Sequence, residues 1–318
     1  MRSLLRRTPR ALTVLAALAA LWTAASAPAQ AELPVDYNFF AGIPHELTNP
    51  HGSLPGANDW NCRPTAEHPN PVVLVHGTAG GGQTNWGVYA PLLANAGYCV
   101  YSLTYGALAV PWPLDQLGGM RPIPESAAQV GAFIDRVRAA TGAERVDIVA
   151  HSQGNFVGNY YVKRLGGSGK VDKFVGIAPP WLGVWGDGAD LIRAFARGLG
   201  QPAAAVDNIL TFGLCQACPL MLGGSDFLRA LNADGVYDPT VTYTNIATRY
   251  DEAVMPYTAG LVPAPNATNI VVQDGCPADY SEHAGIAGSP RAAGFVLNAL
   301  DPAHPQPVPC EFIPPFTG

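Results

Sequence analysis

The sequence predicts an α/β fold: a mostly parallel β-sheet covered by helices on both faces. Three observations carry this expectation. Short β-branched runs alternate with segments of helical periodicity, the connections between them are brief, and two of the strands run directly into glycine-containing turns. Pro71 to Val75 is a continuous apolar run followed by the glycine turn from His76 to Gly82, the pattern of a strand buried on both faces. Trp86 to Ala96 follows as helix and Tyr98 to Tyr105 as a second strand. Val130, Phe133, Ile134 and Val137 mark one helical face, with Gly142 at the C-terminal cap position. Strand Val146 to Ala150, helix Phe156 to Leu165 and strands Val171 to Ile177, Val241 to Ala247 and Asn269 to Val272 continue the alternation. Ser289 and Pro290 stand as N-cap and first residue of a last helix reaching about Leu300, and a Pro-rich strap follows Asp301.

Two segments fall outside this rhythm. Arg2, Arg6, Arg7 and Arg10, the apolar stretch Ala11 to Trp22 and Ala29-Gln30-Ala31 have the order of a cleaved export signal, so residues 1–31 are expected to be removed and the protein secreted. One catalytic domain over residues 32–318 is expected to remain, without a membrane span. The second segment, about residues 181–234, is an apolar insertion expected to form a small cap or lid. Trp181 to Leu222 holds only five charged residues, and Leu191, Phe195 and Leu199 form a stripe away from Arg193 and Arg197. Such a stripe serves equally as buried core or as the wall of an acyl pocket.

The chain has 18 basic and 24 acidic residues; without the four leader arginines, 14 against 24 give a formal charge of −10. That balance argues against a nucleic-acid partner. Six cysteines in an exported chain point to three disulfides, for which 15 pairings exist; Cys215-Gln216-Ala217-Cys218 reads as a small local one. No metal site is expected.

The sharpest signal lies at Ala150-His151-Ser152-Gln153-Gly154, where a strand turns straight into a helix with serine at the tip. This is the context of a nucleophile elbow, G-x-S-x-G, with Ala150 in place of the first glycine. A serine hydroxyl needs a base. His45, His51 and His68 lie in residues 32–70, a Pro-, Asn- and Gly-rich stretch expected to wrap over the surface, His76 and His151 belong to the turns, and His304 sits in the tail, which leaves His283 on the loop before the last helix. The orienting carboxylate is expected between serine and histidine in chain order; Asp251 directly follows a strand, with Glu252, Asp274 and Asp279 as competitors. The amides of Thr78 and Gln153 are the expected oxyanion donors, with the Thr78 hydroxyl available as a third.

The segments PVVLVHGTAGG, AHSQG, RYDEAV and DYSEHAGI, in this order, resemble the secreted class 2 lipases of bacteria and are similar to the fungal lipase B group. The resemblance implies an α/β-hydrolase fold, a Ser152, Asp251 and His283 triad, and the pairs Cys62 with Cys99, Cys276 with Cys310 and Cys215 with Cys218. It implies no cofactor. The function expected is a monomeric triacylglycerol lipase acting on apolar esters through an acyl-enzyme. A cutinase-like esterase or acyltransferase of the same fold is the alternative, and a non-catalytic hydrolase-fold binding protein a more distant one.

Overall fold

Among the described residues the sheet has six strands, all parallel, in the order β2-β1-β3-β4-β5-β6: β1 Val72–Val75, β2 Val100–Ser102, β3 Val146–His151, β4 Val171–Ile177, β5 Thr242–Ala247 and β6 Ala267–Val271. The structure is a computed structural model and describes residues 31–184 and 214–316. All of these strands belong to the unit Leu33–Gly318. The proposed leader, and the Leu191, Phe195 and Leu199 stripe of the insertion, lie outside the described residues.

Among the described residues the helices are α1 Ile43–Thr48, α2 Tyr89–Asn95, α3 Ile123–Thr141, α4 Gly154–Arg164, α5 Asp226–Leu231 and α6 Pro290–Leu300. Alternation along the strands feeds two cores. Val73, Val75, Ile148, Ala150, Phe174 and Tyr243 join the α3 and α4 side, whereas Val72, Leu74, Val149, Val175, Ile177 and Ile246 pack with α2 and α6. A register shift between Val146 and Ile148, where β4 carries an extra residue, lets Val171 and Phe174 share one face.

Helix α3 buries Ile123, Ala127, Val130, Ile134 and Val137, a three-to-four-residue stripe, and ends at Gly142 in the left-handed conformation. Helix α6 opens at Ser289, whose hydroxyl accepts the amides of Arg291 and Ala292. Strand β2 is shorter than its apolar run. Beyond Ser102 the Tyr105 amide donates to His76 Nε2, and Thr104 Oγ1 accepts from Gly82 N–H, so both residues serve the glycine turn instead of the sheet. Helix α2 likewise starts at Tyr89, three residues later than its periodicity indicates, with Trp86 fully buried before it.

The sulfurs of Cys62 and Cys99, Cys215 and Cys218, and Cys276 and Cys310 lie at bonding distance. The tail after α6 runs back over the loop between β6 and α6. Tyr280 N–H donates to Ile313 O, Ile313 N–H donates to Ala278 O, and the buried Arg291 guanidinium donates to the carbonyls of Val272, Asp274 and Pro309. Cys276 and Cys310 are 34 residues apart, and a cross-link closing a loop of this length contributes about 3–4 kcal/mol in the chain-entropy account. A Cys276→Ser, Cys310→Ser double variant is expected to lose unfolding free energy of that size in urea titration. A midpoint unchanged from the parent protein would show that the strap is held without the bond.

Candidate active site

The C-terminal ends of β3, β5 and β6 deliver three side chains to one place. Ser152 follows β3 with φ of 52°, a left-handed conformation that a non-glycine residue adopts at a cost. Its amide donates to Ile177 O, and Asn155 Nδ2 donates to Ser152 O, so the turn is bonded on both sides. Helix α4 then approaches β1 so closely that a Cβ on Gly154 would lie 2.1 Å from Val75 O. Glycine is obligatory there. Ala150 two residues before the serine is different, because its methyl points into the α3 and α4 core, where it is buried.

Asp251 lies just beyond β5, and its Oδ1 accepts the amides of Ala253 and Val254 at 2.9 and 2.6 Å. His283 sits on the loop between β6 and α6. Its Nδ1 is 2.9 Å from both oxygens of Asp251, and its Nε2 is 2.8 Å from Ser152 Oγ. A carboxylate only accepts, so Nδ1 carries the proton and Nε2 is left to accept from the serine hydroxyl. All three residues are buried, with exposures of 3, 7 and 6% for Ser152, Asp251 and His283. Burial works against the charged imidazole, but Asp251, followed by Glu252 and Glu282, outweighs it and holds the His283 pKa above the ordinary histidine value.

The competing carboxylates have other partners. Glu252 Oε2 accepts the backbone N–H of His283 at 3.2 Å, Asp274 pairs with Arg249, and the fully buried Asp279 accepts from Ser281 and from Ser289 Oγ. Asp279 therefore ties the histidine loop to the start of α6. Thr248 Oγ1 donates to Ser281 O at 2.6 Å, and Gln273 Nε2 donates to Asp279 O and to Thr248 Oγ1. Thr248 and Gln273 carried no motif in the sequence. Their role arises only once β5 and β6 are paired.

Thr78 and Gln153 face each other: Thr78 Oγ1 donates to Gln153 Oε1 at 2.9 Å, and Gln153 Nε2 donates to Gly119 O. The hydroxyl expected as a third donor is thus engaged with its neighbour. Gly119, at φ of 69°, has no room for a Cβ, which would lie 2.5 Å from Gln153 Oε1. The glycine turn itself is fixed by His76, whose ring stacks on Tyr105 and whose Nε2 accepts the Tyr105 amide, while burial pushes its pKa down to about 4. An exposed cleft beside the histidine loop is lined by Tyr250, Glu252, Tyr280, Glu282, Pro315 and Phe316. Among the described residues no group of His, Cys, Asp and Glu has the arrangement of a metal site, and no helix is long and apolar enough to cross a membrane.

Two solved structures share this architecture. Lipase B of Aspergillus fumigatus is 19% identical with a TM-score of 0.58, the match covering 81% of this chain and 56% of the fungal one. The mature Bacillus licheniformis lipase BlEst2 is 14% identical with a TM-score of 0.51, the match covering 79% of this chain and 96% of that one. This chain therefore spans little more than half of the fungal protein, and at these identities the likeness is one of fold, that of the α/β-hydrolases. The sequence model of Lipase (class 2) matches residues 69–288. That stretch is most of the chain and includes the glycine turn, the serine elbow, Asp251 and His283; the protein belongs to the class 2 lipase family.

Proposed function

We propose that this chain is a secreted triacylglycerol lipase: residues 1–31 direct export, residues 32–318 form the catalytic domain, and Ser152, Asp251 and His283 are its triad. The observation that carries the reading is the unbroken line of contacts from Asp251 through His283 to Ser152 Oγ. His283 Nε2 takes the hydroxyl proton as Oγ attacks the ester carbonyl, and the amides of Thr78 and Gln153 receive the oxyanion. The proton then passes to the departing alcohol. Water, deprotonated by His283 in turn, releases the fatty acid from Ser152. The apolar insertion and the exposed rings of Tyr250, Tyr280, Phe312 and Phe316 favour an apolar substrate.

Ser152→Ala and Asp251→Asn are each expected to lower kcat by about 10⁴-fold or more with the fold intact by circular dichroism, because the three residues act as a unit. Either variant hydrolysing a nitrophenyl ester at near the parental rate would remove the assignment.

The base works only when neutral, so activity falls as pH drops through the His283 pKa. With that value raised, the acid limb of kcat/KM is expected above about pH 6.5. Glu252→Gln keeps an oxygen for the His283 amide but removes a charge that raises the pKa. Its limb should move to lower pH while kcat changes little; a limb that stays in place would show that Glu252 has no electrostatic share.

Each methylene of an acyl chain that is buried contributes about 0.8 kcal/mol. kcat/KM is therefore expected to rise from acetyl to octanoyl esters, with fatty acid released from an emulsified triglyceride. Activity confined to acetyl and propionyl esters would mark a short-chain esterase with the same triad.

A further inference from the structure

His151, the residue before the elbow serine, is fully enclosed and touches the histidine loop rather than the serine. Its Nε2 lies 2.9 Å from the backbone carbonyl of His283, its Nδ1 is 3.1 Å from Asn85 Oδ1, and its ring meets Phe39 edge-on. The two imidazoles are 5.3 Å apart, centre to centre.

The proton on this ring can be assigned. Burial first, and the charge of His283 second, push the His151 pKa down to about 3, so the ring is neutral and carries one N–H. The His283 carbonyl can only accept. Asn85 Oδ1 already accepts the Gly77 amide at 3.1 Å, in the turn that carries Thr78. Asn85 Oδ1, with a second lone pair, can also accept, but the His283 carbonyl is the nearer acceptor, at 2.9 Å against 3.1 Å, so the single proton is assigned to Nε2, donated to His283 O. Glu252 Oε2 holds the N–H of the same residue. The backbone of His283 is thus gripped at both its amide and its carbonyl, one from the β5 loop and one from the elbow.

From this geometry we infer that His151 is a positioning residue for the reaction: its Nε2–H fixes the His283 carbonyl, and so keeps the base at hydrogen-bond distance from the serine on the adjoining residue. The inference rests on the reading of Ser152 and His283 as nucleophile and base. The grip matters because serine and base come from chain segments 131 residues apart. Asp251, Glu252, Thr248 and Gln273 hold the loop from the ends of β5 and β6, whereas His151 ties it to the elbow itself, and a base displaced by an ångström costs about 10²-fold in rate. A neutral neighbour also lets His283 accept its proton without meeting a second positive charge.

The test compares His151→Phe, which keeps a ring and loses both nitrogens, with His151→Gln, which restores an N–H donor at similar reach. His151→Phe is expected to lower kcat by about 10²-fold with KM within about twofold of the parent, and His151→Gln to recover at least about tenfold of that loss. A kcat for His151→Phe within about threefold of the parent, or His151→Gln no better than His151→Phe, would overturn the inference in favour of packing alone. Ser152→Ala in the same assay separates the two readings: residual activity there overturns the triad, whereas its inactivity beside a normal His151→Phe overturns only the positioning role. Ring ¹⁵N spectra of the parent protein decide the point even where a variant fails to fold. A neutral His151 with the proton on Nε2 supports it, and a proton on Nδ1 with bare Nε2 contradicts it.

Discussion

The left-handed turn at Ser152 is the constraint on which the rest depends. A side chain held there costs about 1–3 kcal/mol, and the surrounding chain must over-determine it. The supports come from both neighbouring strands: Ile177 at the end of β4 accepts the serine amide, and Val75 at the end of β1 lies where any side chain on residue 154 would have to go. Only a central strand has both neighbours, and β3 lies between β1 and β4. Asn155, with no exposed surface, adds bonds from its amide nitrogen to the carbonyls of Ser152 and Ile177. The strained residue is thus part of the sheet's own hydrogen bonding.

Around the turn, buried polar groups add their bonds to the apolar packing of the sheet. Thr248, Gln273, Asp279 and Ser289 link the ends of β5 and β6, the histidine loop and the first turn of α6. Such a network stabilises a single geometry only when its members are paired, since an unpaired polar group in a low-dielectric site costs about 1–3 kcal/mol. The loops after β5 and β6 together bring Asp251, Glu252 and Glu282 near one imidazole. Their combined charge opposes the desolvation that would otherwise lower the His283 pKa.

Most of the sheet was legible in the sequence because parallel strands buried on both faces are written as β-branched runs, as in Pro71 to Val75 and Val171 to Ile177. The elbow was legible because strand, serine and glycine stand in fixed register. Strand β2 was overestimated, since Thr104 and Tyr105 have strand-like side chains but spend their polar groups on the glycine turn. Position directly after a strand favoured Asp251 over Glu252, Asp274 and Asp279, but the contacts that distinguish the four arise only through tertiary structure. The bonds from Thr248 to Ser281, from Gln273 to Thr248 and from His151 to His283 leave no local signal, because each spans at least 25 residues of chain.

The strap over the histidine loop also orders events in time. The elbow serine leaves the ribosome 131 residues before the imidazole that contacts it, and the segments that clamp this imidazole's loop, Cys310 and Ile313, come later still. During synthesis the hydroxyl is therefore chemically quiet, since a serine without a base is a weak nucleophile. On the proposed reading, hydrolytic competence waits for residues far beyond the serine, and a cysteine pair that closes only under oxidising conditions would delay it further.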